Sequence, residues 1–306
     1  MPAPPTPETI LRRLEWTVVR RLEGLLQGDY RSLLRGTGVD LADLREYQYH
    51  DDVRHIDWNV TARLGTPHVR EYLEDREITA WFLLDLSASV DFGSGAVSKR
   101  DLLAEFTAML CRLLAGKGNR VGAILFHAGV DRVIPARGGR QQVLHILDAV
   151  MKRAPAKTPR PTDLALALRE AGRILRRRSV AFLVSDFISM PGWEQPLGAL
   201  ASRHEVVAVR LCDPLESRLP DLGFITFQNC ETGEQLFVDT HDRGFRRRFA
   251  GIAAARDEAL RAAFAGAGVD ALELSTEDDL VDAVVHFVQM RRRRARIAAP
   301  PLEQVS

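Results

Sequence analysis

The sequence predicts an α/β fold: an open, mostly parallel sheet covered by helices on both faces, preceded by an N-terminal helix and a loop-rich extension. Three observations carry that prediction. ITAWFLLDLS (residues 78–87), SVAFLVSDF (179–187) and EVVAVRL (205–211) are near-continuous apolar runs ending at polar residues, as expected of strands buried on both faces of a parallel sheet. Between them stand segments with apolar residues at helical spacing, so strands and helices alternate. Parallel neighbours then require right-handed crossovers, which place the helices on the sheet faces.

From the N-terminus, Thr6 followed by Pro7 reads as an N-cap with proline at the first helical position. Leu11, Leu14, Val18, Leu22 and Leu25 recur at helical spacing as far as Gly28, an amphipathic stripe that predicts packing on the chain's own core. Residues 36–76 are polar and loop-rich, with a clear extended segment at 68–73. After the first buried strand, Ser98 and Asp101 form a capping-box pair that opens a helix. VGAILFH (121–127) and VDRVIPA (130–136) read as a hairpin, and helices follow at 141–151 and 164–175. A short helix at 193–201 separates the second and third buried strands. FITFQN (224–229) and QLFVD (235–239), with Gly233 between them, predict a hairpin at the sheet edge. A long helix over about 242–264, the strand ALEL (271–274) and a helix from about Asp278 complete the order. The boundaries are residues 1–76 for the N-terminal helix and polar segment, 77–294 for the α/β domain and 295–306 for a flexible tail.

A chain of 306 residues, 46% of them hydrophobic, can bury a sizeable core. Lys+Arg 42 against Asp+Glu 41 leaves a net charge of +1, which argues against a whole-domain footprint for nucleic acid. All but four of the basic residues are arginine; the lysines are Lys99, Lys117, Lys152 and Lys157. No apolar run approaches the roughly 20 residues that span a bilayer, and MPAPPTPETI lacks the pattern of a signal peptide. Cys111, Cys212 and Cys230 are odd in number and widely spaced, which excludes a disulfide framework and a CxxC zinc site. A cytoplasmic, reduced location is expected.

In open α/β sheets, ligands bind beyond the carboxyl ends of the strands, where strand order reverses. Asp85, Ser87 and Ser89 end or follow the first buried strand, Asp186 follows the second, and Thr162 lies in the turn PRPTD ahead of the helix at Leu164. Two carboxylates and three hydroxyls are hard oxygen ligands, suited to Mg²⁺ or Mn²⁺ and not to zinc or copper. Each has a structural alternative: Asp and Ser are turn formers, and Thr162 can cap a helix. Hydroxyls in direct contact leave a cation under-neutralised, so such a site attracts a carboxylate from another protein.

The set Asp85, Ser87, Ser89, Thr162 and Asp186 resembles the metal-ion-dependent adhesion site of von Willebrand factor A domains, with all five motif positions matched. The preceding segment sharpens the likeness. Arg45, Glu46, Tyr47, Asp51, Asp52, Arg54, Ile56, Asp57, Trp58, Ala62 and Arg63 are similar to the signature of the bacterial family called domain of unknown function 58, whose core is of the A-domain type. The resemblance spans about residues 28–290. It implies a partner-binding protein that works with a MoxR-type AAA+ ATPase in chaperone-like maturation or activation of other proteins. Many members of that family carry membrane segments, and no such run stands in this sequence.

Arg45, Asp51, Asp52, Arg54, Asp57 and Arg63 read as an ion-pair network bracing loops beside the metal site, with a partner-contacting surface as the alternative; Trp58 reads as a packing anchor. A second metal centre at His50, Asp52, His55 and Asp57 is disfavoured, because neighbours in an extended segment point to opposite faces. Gly116-Lys117-Gly118 lacks phosphate-loop spacing. The cysteines read as small buried apolar groups, and the arginines of 291–296 as a solvated helix end complementing the helix dipole. The competing function is a Mg²⁺-dependent, phosphatase-like hydrolase with Asp85 as nucleophile. Against it, Ser87 stands where such phosphatases carry a second acid, and no lysine stands at a strand end to stabilise a transferring phosphoryl group. The expectation is a metal-dependent protein-interaction module that is not an enzyme.

Overall fold

Apolar runs that cannot face water on either side lie together in the middle of a six-stranded sheet. The computed structural model describes residues 6–13, 44–48, 53, 56–70, 78–152, 161–228 and 233–298. The chain begins with α1 (Pro7–Arg13), then β1 (Leu44–Glu46), α2 (Trp58–Leu64) and β2 (His68–Arg70). There follow β3 (Thr79–Asp85), α3 (Lys99–Gly116), β4 (Arg120–Phe126), β5 (Val130–Arg137), α4 (Arg140–Met151) and α5 (Leu164–Ile174). Next come β6 (Val180–Ser185), α6 (Glu194–Ala201), β7 (Glu205–Cys212), α7 (Pro214–Ser217), β8 (Phe224–Gln228) and β9 (Gln235–Asp239). The last elements are α8 (Arg243–Gly266), β10 (Asp270–Ser275) and α9 (Leu280–Ala298).

The strand order is β10-β7-β6-β3-β4-β5, with every neighbour parallel except the β4–β5 hairpin. The chain leaves β3 towards β4 and β5, then returns to lay β6 on the other side of β3. Strand order therefore reverses between β3 and β6, and the crevice beyond their carboxyl ends is where such sheets bind ligands.

Alternation along β3 divides the core in two. Ala80, Phe82 and Leu84 face the layer of α3, α4 and α9, whereas Trp81 and Leu83 face α5, α6 and α8. Each buried Val, Leu or Phe side chain contributes about 1.5–3 kcal/mol. At β4, a Cβ on Gly122 would stand 3.0 Å from the β5 backbone and from the Trp81 ring, so the sheet requires a residue without a side chain there. The capping box at the head of α3 forms as expected: Ser98 Oγ accepts from Asp101 N at 3.1 Å, and Asp101 Oδ2 accepts from Ser98 N at 3.0 Å.

In α1, Ile10 and Leu11 are buried in the first core layer, and the helix packs on α3 and α4. The remainder of the expected N-terminal helix, through Gly28, lies outside the described residues. Three expectations are corrected. Among the described residues, the hairpin β8–β9 forms a separate two-stranded sheet and does not extend the main sheet, whose edges are β10 and β5; its Phe227 instead stacks on Phe249 of α8, ring centroids 6.3 Å apart. Trp58 is no packing anchor: α2 begins at this residue and leaves its side chain 70% exposed. The last helix continues to Ala298, beyond residue 294, and residues 299–306 lie outside the described residues.

Replacing the fully buried Leu11 by Ala is expected to cost about 2–5 kcal/mol. Urea unfolding of the purified variant checks this; a change below about 0.5 kcal/mol, the range of ordinary surface substitutions, would show that α1 is not part of the core.

Candidate metal centre

Asp85 is the last residue of β3, and the parallel register that pairs Leu84 with Val184 sets Asp85 beside Ser185 of β6. Ser185 Oγ donates to Asp85 Oδ2 at 2.6 Å and accepts from Phe187 N at 2.9 Å. The turn after β3 folds back on the carboxylate, with Ser87 N donating to Asp85 Oδ1 at 2.9 Å. The hydroxyls of Ser87 and Ser89 are 3.1 Å apart. Ser87 precedes a single 3-10 turn, Ala88–Asp91, yet its side chain makes no capping bond there. Asp163 caps α5, its carboxylate accepting from Leu166 N at 2.8 Å, so Thr162 is not the cap.

Asp186 follows β6, and its Oδ1 accepts from Ile188 N at 3.0 Å. Its carbonyl accepts from Arg256 Nη2 of α8 at 3.1 Å. The next residue, Phe187, has φ of 57°, the left-handed region that a bulky side chain rarely adopts. Contacts with Trp193 and Phe264, at ring-centroid distances of 5.5 and 4.8 Å, hold it there. The loop returns to Thr162, whose carbonyl accepts from Met190 N at 3.0 Å. Asp85, Ser87, Ser89, Thr162 and Asp186 are all buried, on three loops at one end of the sheet.

Burial, and then the charge of Asp186, push the Asp85 carboxyl up to about 7, against the stabilising bonds from Ser185 and Ser87. Two buried carboxylates this close repel, and a cation relieves them. Part of that cation is already in the chain. Lys99, the first residue of α3, is fully buried, and its Nζ donates to Asp186 Oδ2 at 2.7 Å and to Glu216 Oε1 of α7 at 2.5 Å. Burial works to lower the lysine's pKa, but the two carboxylates outweigh it and raise it. Ionised Asp85, Asp186 and Glu216 outnumber the Lys99 ammonium and the Arg256 guanidinium, so negative charge remains in excess and a further cation would relieve it. All the donors are hard oxygens, so the residues fit Mg²⁺ or Mn²⁺.

Lys99, Glu216 and Ser185 were not among the residues expected here from sequence. The argument that no lysine could serve the site is overturned: Lys99 belongs to a helix in sequence, but its flexible side chain reaches the end of β6. Composition alone does not single out Lys99, since Lys117 and Lys152 of the same chain are exposed on the surface.

The family model described as "Protein of unknown function DUF58" matches residues 43–259. The chain belongs to this family. Uncharacterised proteins of Mycobacterium tuberculosis and Mycobacterium bovis are 40% identical to it over 289 residues, covering 93% of this chain and 90% of each relative. Among solved structures, BatB from Bacteroides thetaiotaomicron is similar with a TM-score of 0.47 and 13% identity, over 71% of this chain and 99% of that one. The SpRpn10 VWA domain gives a TM-score of 0.37 and 13% identity, over 68% of this chain and 94% of its own.

The match to the DUF58 model begins just before β1 and ends within α8, so β10 and α9, which complete the sheet, lie beyond it. It includes the polar segment whose residues suggested bracing or partner contact. There β1 and β2 form their own two-stranded antiparallel sheet. Asp57 is buried and accepts from Val60 N at 3.3 Å at the head of α2, and Arg63 is exposed on that helix. Asp51, Asp52, Arg54 and the side chain of Arg45 lie outside the described residues, as do His50, His55 and Cys230. Burial raises the thiols of Cys111 and Cys212, the latter to about 11, so neither is an activated nucleophile at neutral pH. Arg291 is not solvated: it is buried between Glu205 and Asp270, at 2.9 Å from each.

In EDTA, folded protein retains the Asp85 proton to about pH 7, whereas the unfolded chain releases it near the ordinary 3.8. Between those values the folded state binds more protons, so this group makes stability fall as pH rises, by up to about 1.4 kcal/mol per pH unit. Asp85→Asn cannot ionise and is expected to flatten that slope in urea-unfolding measurements from about pH 4 to pH 7. A slope unchanged by the substitution would contradict the buried-pair assignment.

Proposed function

We propose that this protein is an interaction module that binds an acidic side chain of a partner protein at a divalent-metal site formed by Asp85, Ser87, Ser89, Thr162 and Asp186. The observation that carries this is the buried Asp85–Asp186 pair, set beside two serine hydroxyls at the strand-order reversal. Mg²⁺ or Mn²⁺ would supply a Lewis-acidic coordination position there. The chain's own groups do the rest. Ser185 Oγ and Ser87 N orient the Asp85 carboxylate, Ile188 N and Lys99 Nζ orient that of Asp186, and the Phe187 backbone turns the loop back towards Thr162.

The family resemblance extends this to a MoxR-type AAA+ ATPase as the partner, in chaperone-like maturation or activation of client proteins in the cytoplasm. Among the described residues, no helix is long and apolar enough to cross a membrane. The hydrolase alternative gains Lys99 as a nearby cation, but Ser87 stands where such phosphatases carry a second acid, so the module is not proposed to be an enzyme.

Calorimetric titration of Mg²⁺ and Mn²⁺ is expected to show one site in the wild type and none in Asp85→Ala, with ATPase capture in Mg²⁺ that is lost in EDTA. Equal metal and partner binding by the variant would overturn the proposal. Phosphoester turnover that disappears in Asp85→Asn would favour the hydrolase.

A further inference from the structure

A buried lysine is costly unless paired, and removing one partner of a buried pair strands a charge. Lys99 and Asp186 are both fully buried, and the ammonium lies on the same carboxylate that the metal-site reading assigns as a ligand. Its other carboxylate, Glu216, is itself fixed: Glu216 Oε2 accepts from Asp213 N at 3.3 Å, in the capping box of α7. The Lys99 ammonium also stands 5.9 Å from the centre of the Phe92 ring, in the loop leading to α3. It is therefore held from three sides. Both oxygens of Asp186 serve donors, Ile188 N on one and Lys99 Nζ on the other.

We propose that Lys99 is a built-in cation that tunes the metal centre: by neutralising Asp186 it weakens the chain's own hold on the divalent ion and leaves that ion dependent on a carboxylate from the partner. This rests on the metal-site reading above and adds a regulatory residue to it. The effect is local. A carboxylate already donating its charge to an ammonium at 2.7 Å has less to offer a metal that demands oxygens at about 2.0–2.1 Å. Charge withheld by Asp186 is then recovered from the incoming acidic side chain. Loss of Lys99 thus moves two affinities in opposite directions, tightening the bare metal and weakening the added carboxylate, which a purely structural role would not do.

The decisive variant is the double substitution Lys99→Met/Glu216→Gln. It removes one ammonium and one carboxylate together, so the net charge of the cluster is unchanged while Asp186 loses its cation, and the glutamine oxygen can still accept from Asp213 N. Lys99→Arg, which retains the charge, is the second arm. Mn²⁺ binding is followed by electron paramagnetic resonance and Mg²⁺ by calorimetry, with acetate as the carboxylate probe and Asp85→Ala as the control. The double variant is expected to bind the metal at least tenfold more tightly, about 1.4 kcal/mol, and to respond several-fold less to acetate, with Lys99→Arg close to wild type. Metal affinity in the double variant equal to or below wild type would overturn the proposal and leave the metal site intact, as would an equal gain in Lys99→Arg. Metal binding by none of the proteins would overturn the metal site itself, and this inference with it.

Discussion

Two carboxylates that cannot both be comfortable inside a protein are the constraint around which this fold is arranged. Asp85 ends β3 and Asp186 follows its neighbour β6, both fully buried, and burial together with their mutual repulsion pushes Asp85 up to about 7. Isolated, such a pair destabilises the native state. Its surroundings supply backbone N–H groups, a serine donor and a lysine, and a divalent cation would complete the neutralisation.

The sheet makes that arrangement cheap to build. Parallel strands in register bring Leu84 beside Val184, so the residues just beyond them converge without any specially shaped loop. Apolar layers on both faces fix β3 and β6 as the central strands, and the reversal of strand order opens the crevice at their carboxyl ends. Where the chain must turn sharply after Asp186, Phe187 adopts a left-handed backbone conformation, and the Trp193 and Phe264 rings restrain it. Rigid packing below the site and a strained turn at its rim together hold these loops in place.

Much of this was legible in the residues. The buried runs identified the three central strands because a strand covered on both faces has no polar side to disguise its period. The capping pair at Ser98 and Asp101 marked the head of α3 through a local rule. Asp85, Ser87, Ser89 and Asp186 stood out because they end or follow buried strands, and the fold does bring them to one end of the sheet. Lys99 was not: its contacts with Asp186 and Glu216 join residues 87 and 117 positions apart, a relation that no periodicity encodes. Trp58 was misjudged for a related reason, since a large aromatic side chain implies burial only when a neighbouring surface covers it, and that surface is set by tertiary packing. The hairpin β8–β9 had the correct local pairing but the wrong location, because strand propensity does not say which edge a strand will join.

The most direct test of the metal centre is an anomalous diffraction measurement at the manganese edge on crystals of the protein equilibrated with Mn²⁺. The account predicts one strong peak in the crevice between β3 and β6, within reach of the oxygens of Asp85, Ser87, Ser89, Thr162 and Asp186. An empty crevice with the Lys99–Asp186 contact unchanged, or a peak bound elsewhere on the molecule, would contradict it.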